Sequence, residues 1–140
     1  MRGVFRHRGV IMLGTSLFQA INVVREDNTL TGRGKRGGPQ SQFRVHKVNT
    51  GGIRMFESIA NPGKFIRLRD GKIDCLGGRD EDSHFLVLRH KDKGYYTIQS
   101  ASQRGLFLGM TNDGKVHTTI DTGVRNIWLY PEVVECKLIN

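Results

Sequence analysis

The sequence contains few of the residues on which several common protein classes depend. Its 140 residues include only two cysteines, Cys75 and Cys136, too few for the disulfide framework of a small secreted domain and without metal-binding spacing. Three prolines and no low-complexity tract leave no sign of a linker between domains. Helix-length amphipathic windows are also missing, whereas glycine is abundant with 18 residues. The sequence therefore indicates one domain built from strands.

Motifs for catalysis are missing as well. None of the five histidines lies in an H-E-x-x-H spacing, and no G-x-S-x-G elbow occurs. The glycines from Gly32 to Gly37 fit G-x-G-x-x-G, but no strand-to-helix switch accompanies them. We interpret His46 as a solvated strand residue and Cys75 as a half-buried apolar one. We expect no enzyme activity, no cofactor and no bound metal.

One unit of about 43 residues recurs three times along the chain. Leu30, Ile73 and Val116 follow this spacing, and each begins a short alternating segment. Two further triplets follow it: Val10, Ile53 and Tyr96, and Phe43, Phe85 and Trp128. We expect a single domain with repeats at approximately residues 8–50, 51–93 and 94–140.

The turns between alternating segments indicate hairpins. Asp70-Gly71 and Asp113-Gly114 are strong signals for tight turns, and Asp27-Asn28 is a weaker form of the same signal. One copy of about four short strands cannot bury its own apolar face, so the three copies must share a core. A propeller needs about four or more blades, and a solenoid needs capping repeats. The sequence predicts an all-β fold, specifically a closed β-trefoil.

Basic residues exceed acidic ones by 22 to 13, which gives a net charge of +9 and favours polyanionic partners. Residues 31–42 contain four glycines and no acid, so backbone amides and cations can approach a sulfate or phosphate together. Few aromatic residues are placed to stack on bases, which argues against nucleic acid. Arg67 and Arg69 share strand parity with Phe65 and are expected on the outer surface. The predicted polyanion-binding residues are Arg33, Lys35, Arg36, Lys64, Arg67 and Arg69.

Several segments resemble signalling proteins. Residues 56–66, which begin Phe56-Glu57-Ser58 and continue through a Pro-Gly turn, resemble the interleukin-1 family signature. Residues 70–74, 80–83 and 106–110 resemble the fibroblast growth factor family. Both families share the β-trefoil, and the resemblance covers roughly residues 53–118. It implies a ligand that binds a receptor ectodomain together with a heparan-sulfate-type glycan.

The resemblance has limits, and two alternatives stay open. The Phe-Glu-Ser segment lies in the last copy of interleukin-1 relatives but opens the second copy here, so receptor-binding positions are not transferred. The basic glycine loop alone is carried over, to Arg33, Lys35 and Arg36. Carbohydrate-binding trefoils of arabinofuranosidases resemble the stretch from Asp82 to Phe85, with Gln40 and Arg125 in place of Asp82 in the other copies. Actin-binding fascin-type trefoils are the second alternative.

The start of the chain is basic and then apolar, as in a secretory leader. Arg2, Arg6 and Arg8 precede an apolar run that is broken by Gly14 and Gln19, and no small-residue cleavage site follows. We therefore expect no signal peptide and no membrane insertion. The expected location is extracellular by a leaderless route, or cytoplasmic, and the expected state is a monomer.

Overall fold

The computed structural model describes residues 3–14, 19–34, 37–111, 113–120, 127 and 129–134. These residues form strands and two short 3-10 turns, Pro39–Ser41 and Glu81–Ser83, and no α-helix. The predicted all-β class is confirmed. The strands are β1 (Val10–Met12), β2 (Ala20–Val23), β3 (Leu30–Gly34), β4 (Phe43–Lys47), β5 (Ile53–Ser58), β6 (Phe65–Arg69), β7 (Lys72–Gly77), β8 (Phe85–His90), β9 (Tyr95–Ser100), β10 (Phe107–Met110), β11 (Val116–Thr119) and β12 (Glu132–Val133).

The strands pair in two sheets. The larger sheet has the order β11-β10-β9-β8-β5-β4-β1-β12, and β6 joins it by pairing with β5 and β7. β2 and β3 form a separate hairpin. Both sheets are open among the described residues, so the closed β-trefoil stays a prediction.

The last described segment lies between two strands of the larger sheet. Leu129 exchanges two backbone hydrogen bonds with Tyr96 of β9, with N···O distances of 2.9 and 2.8 Å. The next residue, Tyr130, donates its N–H to the carbonyl of Gly14, which follows β1, at 2.9 Å. Strand β12 then pairs with β1. The last described segment therefore contacts both β9 and β1.

All three predicted turns lie in hairpins. Asp70 and Gly71 both have positive φ, 52° and 74°, between β6 and β7. Asn28 has a φ of 58° in the loop between β2 and β3, and Gly114 has 87° in the loop between β10 and β11. The three hairpins meet, because Thr31 bridges to Lys115 and the backbone N–H of Cys75 donates to the carbonyl of Asn28 at 2.8 Å. The hairpin predictions are therefore confirmed. The physical reason is that Asp, Asn and Gly are the residues that best tolerate positive φ.

The core is filled by aromatic and aliphatic side chains from all parts of the described chain. Phe43, Phe56 and Phe85 are fully or almost fully buried, and the rings of Phe56 and Phe85 lie 6.2 Å apart. Each such ring contributes roughly 1.5–3 kcal/mol through its removal from water. Cys75 is completely buried in this core rather than half-buried, because its β7 side chain points inward between the hairpins. Cys136 and Trp128 lie outside the described residues.

Candidate anion-binding surface

Of the three cations predicted in the glycine loop, Arg33 is described, whereas Lys35 and Arg36 lie outside the described residues. Arg33 is exposed at the end of β3. Its Nε donates a hydrogen bond of 2.6 Å to the backbone carbonyl of Asp113. This contact attaches the Arg33 guanidinium to the turn of the β10–β11 hairpin while leaving its charge in solvent.

The other three predicted cations differ in how far their charge is neutralised. Lys64 is exposed in the turn before β6. Arg67 is half-buried and forms a bidentate pair with Asp74, with Nε–Oδ1 at 2.9 Å and Nη2–Oδ2 at 3.4 Å. Arg69 Nε lies 2.7 Å from Asp82 Oδ2. Both arginines therefore have a carboxylate that competes with any external anion.

The predicted face of β6 needs correction. Phe65 is buried together with Ile66 and Leu68 rather than facing outward with the arginines. The pairing register between β6 and β7 shifts between Phe65 and Arg67, which breaks the strict alternation of faces. A polyanion-binding role for Arg67 and Arg69 stays a prediction.

The pair with Arg69 also bears on the lectin alternative. Asp82 lies in the 3-10 turn before β8, and its carboxylate raises the pKa of Arg69 through their hydrogen bond and charge attraction. Because this carboxylate already accepts from Arg69, it offers less hydrogen-bonding capacity to a neutral sugar.

Other acidic side chains have internal partners too. Asp27 accepts hydrogen bonds from the N–H and hydroxyl of Thr29, and these lower its pKa. Asp113 accepts from the hydroxyl of Thr111, which lowers its pKa in the same way. These carboxylates therefore already accept hydrogen bonds from neighbouring side chains, whereas the exposed cations face the solvent.

Glu57 and His46 form the most enclosed acid–base pair in the described chain. His46 Nε2 lies 2.7 Å from Glu57 Oε1, and the side chains are only 12% and 18% exposed. The backbone N–H of Gly63 donates to Glu57 Oε2 at 2.7 Å. Burial acts to raise the pKa of Glu57, but the hydrogen bonds and the charges of His46 and Arg79 outweigh it, so the pKa is lowered. The interpretation of His46 as a solvated residue is wrong, since β4–β5 pairing encloses it.

A cavity of about 410 Å³, here called the basic pocket, is lined by basic residues that lie far apart in the sequence. Its apolar lining consists of Val4, Phe5, Val87 and Tyr96, and Gly3 and Gly52 complete the wall. Among the described residues that line it there is no carboxylate. Its basic lining residues are Arg6, His7, Lys47, Arg54 and Arg89.

The amino-terminal segment forms one wall of the basic pocket and is attached to β4 and β5. Arg8 donates its backbone N–H to the carbonyl of Val45 at 2.7 Å. The backbone N–H of Lys47 donates to His7 Nδ1 at 3.0 Å. The ring of Phe5 is 6% exposed and stacks edge-on against Phe56, with 5.9 Å between centroids. These contacts fix the wall in place.

Arg54 on β5 is the most constrained cation of the basic pocket. Its Nε donates to the carbonyl of Phe5 at 2.8 Å, and its Nη1 donates to the carbonyls of Asn49 and Ile53 at 3.1 and 3.0 Å. Burial lowers its pKa, although a guanidinium stays charged at any physiological pH. The charge is therefore held in one orientation, partly out of solvent.

One sequence signal could have pointed to this site. Lys47 and Arg89 lie one repeat apart, at corresponding places in β4 and β8. Equivalent positions in a repeated fold lie at the same end of the molecule. The basic start of the chain carries no sequence signal that places it beside these strands.

Among the described residues, no group of three or more His, Cys, Asp or Glu side chains is arranged to hold a metal ion. The described part of the chain contains no helix with the length and apolar character to cross a membrane. Comparison with models of known protein families and with curated proteins finds no match for this chain.

Proposed function

We propose that this protein is a non-enzymatic, signalling-type β-trefoil ligand, similar to the interleukin-1 and fibroblast growth factor superfamily. It engages a receptor ectodomain and uses a sulfated glycan as a second partner. The observation that carries the glycan part is the basic pocket, where five basic side chains converge and the described lining residues include no carboxylate.

The strand arrangement supports the trefoil part of this proposal. Three hairpins, β2–β3, β6–β7 and β10–β11, recur at the repeat spacing and contact one another. The strands between them, β1, β4, β5, β8 and β9, pair in a row, and the last described segment contacts both β9 and β1. Six barrel positions and three hairpins are the parts of a trefoil.

Charge supports the glycan part. Carboxylates in contact with Thr29, His46, Arg67 and Arg69 are already engaged. Exposed cations such as Arg6 and Lys47 lie within the positive field of a chain of net charge +9. A polyanion gains most where several cations lie close together and no carboxylate interrupts them.

Heparin-affinity chromatography tests this proposal. We compare the salt needed to elute the protein from heparin with the salt needed on a sulfonate cation exchanger. Wild-type protein is expected to require more salt on heparin, because clustered cations match a sulfated chain better than a uniform charged surface. Equal elution on the two supports would contradict a specific glycan site.

Matched variants locate the site. Arg6→Gln/Lys47→Gln removes two charges from the basic pocket, and Arg25→Gln/Lys72→Gln removes two exposed charges elsewhere. The pocket variant is expected to elute from heparin at lower salt than the control. If both variants elute together, the basic pocket is not the glycan site. Arg33→Gln tests the glycine-loop prediction in the same way.

Binding to cells tests the receptor part. Fluorescently labelled protein is added to cells with and without enzymatic removal of heparan sulfate. Saturable binding that persists at reduced affinity after the treatment is expected for a ligand with a receptor and a glycan. Complete absence of saturable binding on a broad panel of cells would contradict the proposed class, and salt-insensitive binding to neutral glycans would favour the lectin alternative.

A further inference from the structure

We propose that the basic pocket binds one compact oxyanion, a sulfate or phosphate monoester, and seats the apolar group next to that ester on its hydrophobic floor. This inference rests on the proposed glycan-binding function only for the location of the site. It adds the ligand class: an amphipathic ester with a single anionic group, rather than the middle of a long polymer.

Arg54 supplies prearranged donors for the oxyanion. Its three backbone contacts use Nε and the two hydrogens on Nη1. Since a guanidinium carries five N–H groups, the two on Nη2 remain without a hydrogen bond to a described residue. The planar group cannot rotate without breaking contacts to Phe5, Asn49 and Ile53. Two fixed donors on a partly buried cation suit the geometry of a sulfate or phosphate oxygen.

His7 provides a further donor beside Arg54. Its Nδ1 accepts the backbone N–H of Lys47, so in the neutral ring the hydrogen resides on Nε2. Arg6 and Lys47 are exposed and add charge to the lining. An anion in the pocket therefore meets these cations together with the oriented donors of Arg54 and His7.

The floor of the basic pocket explains why an apolar neighbour is expected. The rings of Phe5 and Tyr96 lie 5.0 Å apart at an angle of 63°, and Val4 and Val87 flank them. Tyr96 and both valines are half-buried, so part of this surface is available for contact. A bare inorganic anion leaves the apolar surface wet, whereas a phenyl or alkyl ester covers it. The cavity volume of about 410 Å³ also falls in the usual range for small-molecule sites.

The test uses three probes: phenyl phosphate, phenyl sulfate and inorganic sulfate. Each is titrated into ¹⁵N-labelled full-length protein and followed by NMR chemical shifts. We expect the better phenyl ester to bind at least about tenfold more tightly than inorganic sulfate, because the phenyl ring adds apolar contact. The largest shifts are expected at the amides of His7, Gly52 and Arg54. The two esters distinguish a dianionic phosphate from a monoanionic sulfate as the preferred ligand.

Variants separate the two parts of the pocket. Arg6→Gln/Lys47→Gln is expected to weaken both esters by about tenfold or more, whereas Arg25→Gln/Lys72→Gln leaves them unchanged. Val87→Thr, nearly isosteric and half-exposed, is expected to reduce the advantage of phenyl sulfate over inorganic sulfate. Absence of saturable shifts at the pocket with any probe would overturn the inference.

The heparin and ester experiments together distinguish failure of this inference from failure of the proposed glycan-binding function. If heparin retention depends on Arg6 and Lys47 but phenyl esters bind no better than inorganic sulfate, the pocket is a polymer site and this inference is wrong. If phenyl esters bind the pocket and heparin retention equals that on the sulfonate support, the inference stands and the glycan proposal falls.

Discussion

The geometry of the Glu57–His46 pair predicts that removing the charge of Glu57 lowers the free energy of unfolding. Glu57→Gln keeps the size of the side chain and leaves an oxygen to accept from Gly63 N–H, but it removes the charge. Hydrogen bonds to a charged group contribute about 1.5–3 kcal/mol, against about 0.5–1.5 kcal/mol for neutral ones. The enclosed position of Glu57, 18% exposed, limits screening by solvent. We therefore expect a loss of about 1–2 kcal/mol in the free energy of unfolding at pH 7.

The same substitution has a defined pH dependence. The folded pKa of Glu57 is lowered from its ordinary value of 4.5. A lowered carboxyl pKa contributes stability that is fully present above the ordinary value and is lost as the pH falls through the folded value. The difference between wild type and Glu57→Gln should therefore shrink progressively as the pH falls below about 4.5.

Thermal unfolding followed by circular dichroism measures this difference. For a chain of this length, 1 kcal/mol corresponds to about 3–4 °C in Tm, so a decrease of roughly 3–8 °C is expected at pH 7. Glu26→Gln is the matched control, because Glu26 is exposed and makes no hydrogen bond to a described residue. Equal Tm values for the two variants at pH 7 would refute the reasoning, as would a difference that stays constant down to pH 3.

Two further predictions concern packing around β7. Gly77→Ala places a methyl group in overlap with the hydroxyl of Ser83, so it should lower the free energy of unfolding in urea by about 1–3 kcal/mol. The control Gly78→Ala has no atom near its new methyl group and should change that free energy by less than about 0.5 kcal/mol. Equal effects of the two substitutions would contradict the packing. Burial raises the pKa of the Cys75 thiol to about 12. In a Cys136→Ser variant, Cys75 should therefore resist a thiol reagent at pH 8 until the protein is unfolded. Rapid labelling of the native protein would contradict the burial of Cys75.

Local turn chemistry explains why much of the fold was predictable. The hairpin at Asp70-Gly71 follows from two adjacent residues that tolerate positive φ, and its repeat partners follow from spacing alone. The burial of Phe65 was not predictable, because the register shift beside Arg67 depends on how β6 and β7 pair. The His46–Glu57 contact likewise depends on the β4–β5 register. This register places Met55 opposite His46, so Glu57, two residues further along β5, lies on the same face as His46. Alternation within one strand carries no information about register between strands.

The candidate site was harder to predict than the fold. A cation run such as residues 31–42 is visible in sequence, whereas the basic pocket combines the amino-terminal segment with four separate strands. Arg67 and Arg69 appear as surface charges in the sequence, and the carboxylate that each one contacts becomes visible only in the structure. Counting cations predicts total charge, and only the tertiary structure decides which of them remain unneutralised.

The residues that line the basic pocket differ between the sequence repeats. Lys47 and Arg89 occupy corresponding positions in two copies, but the third copy has Glu132 there. Arg54 pairs with Lys47 across β4 and β5, and Tyr96 pairs with Arg89 across β8 and β9, so a donor at one place is replaced by part of the apolar lining at the equivalent place. This divergence brings basic and apolar lining residues together in one pocket, which is the combination that the proposed amphipathic anion requires.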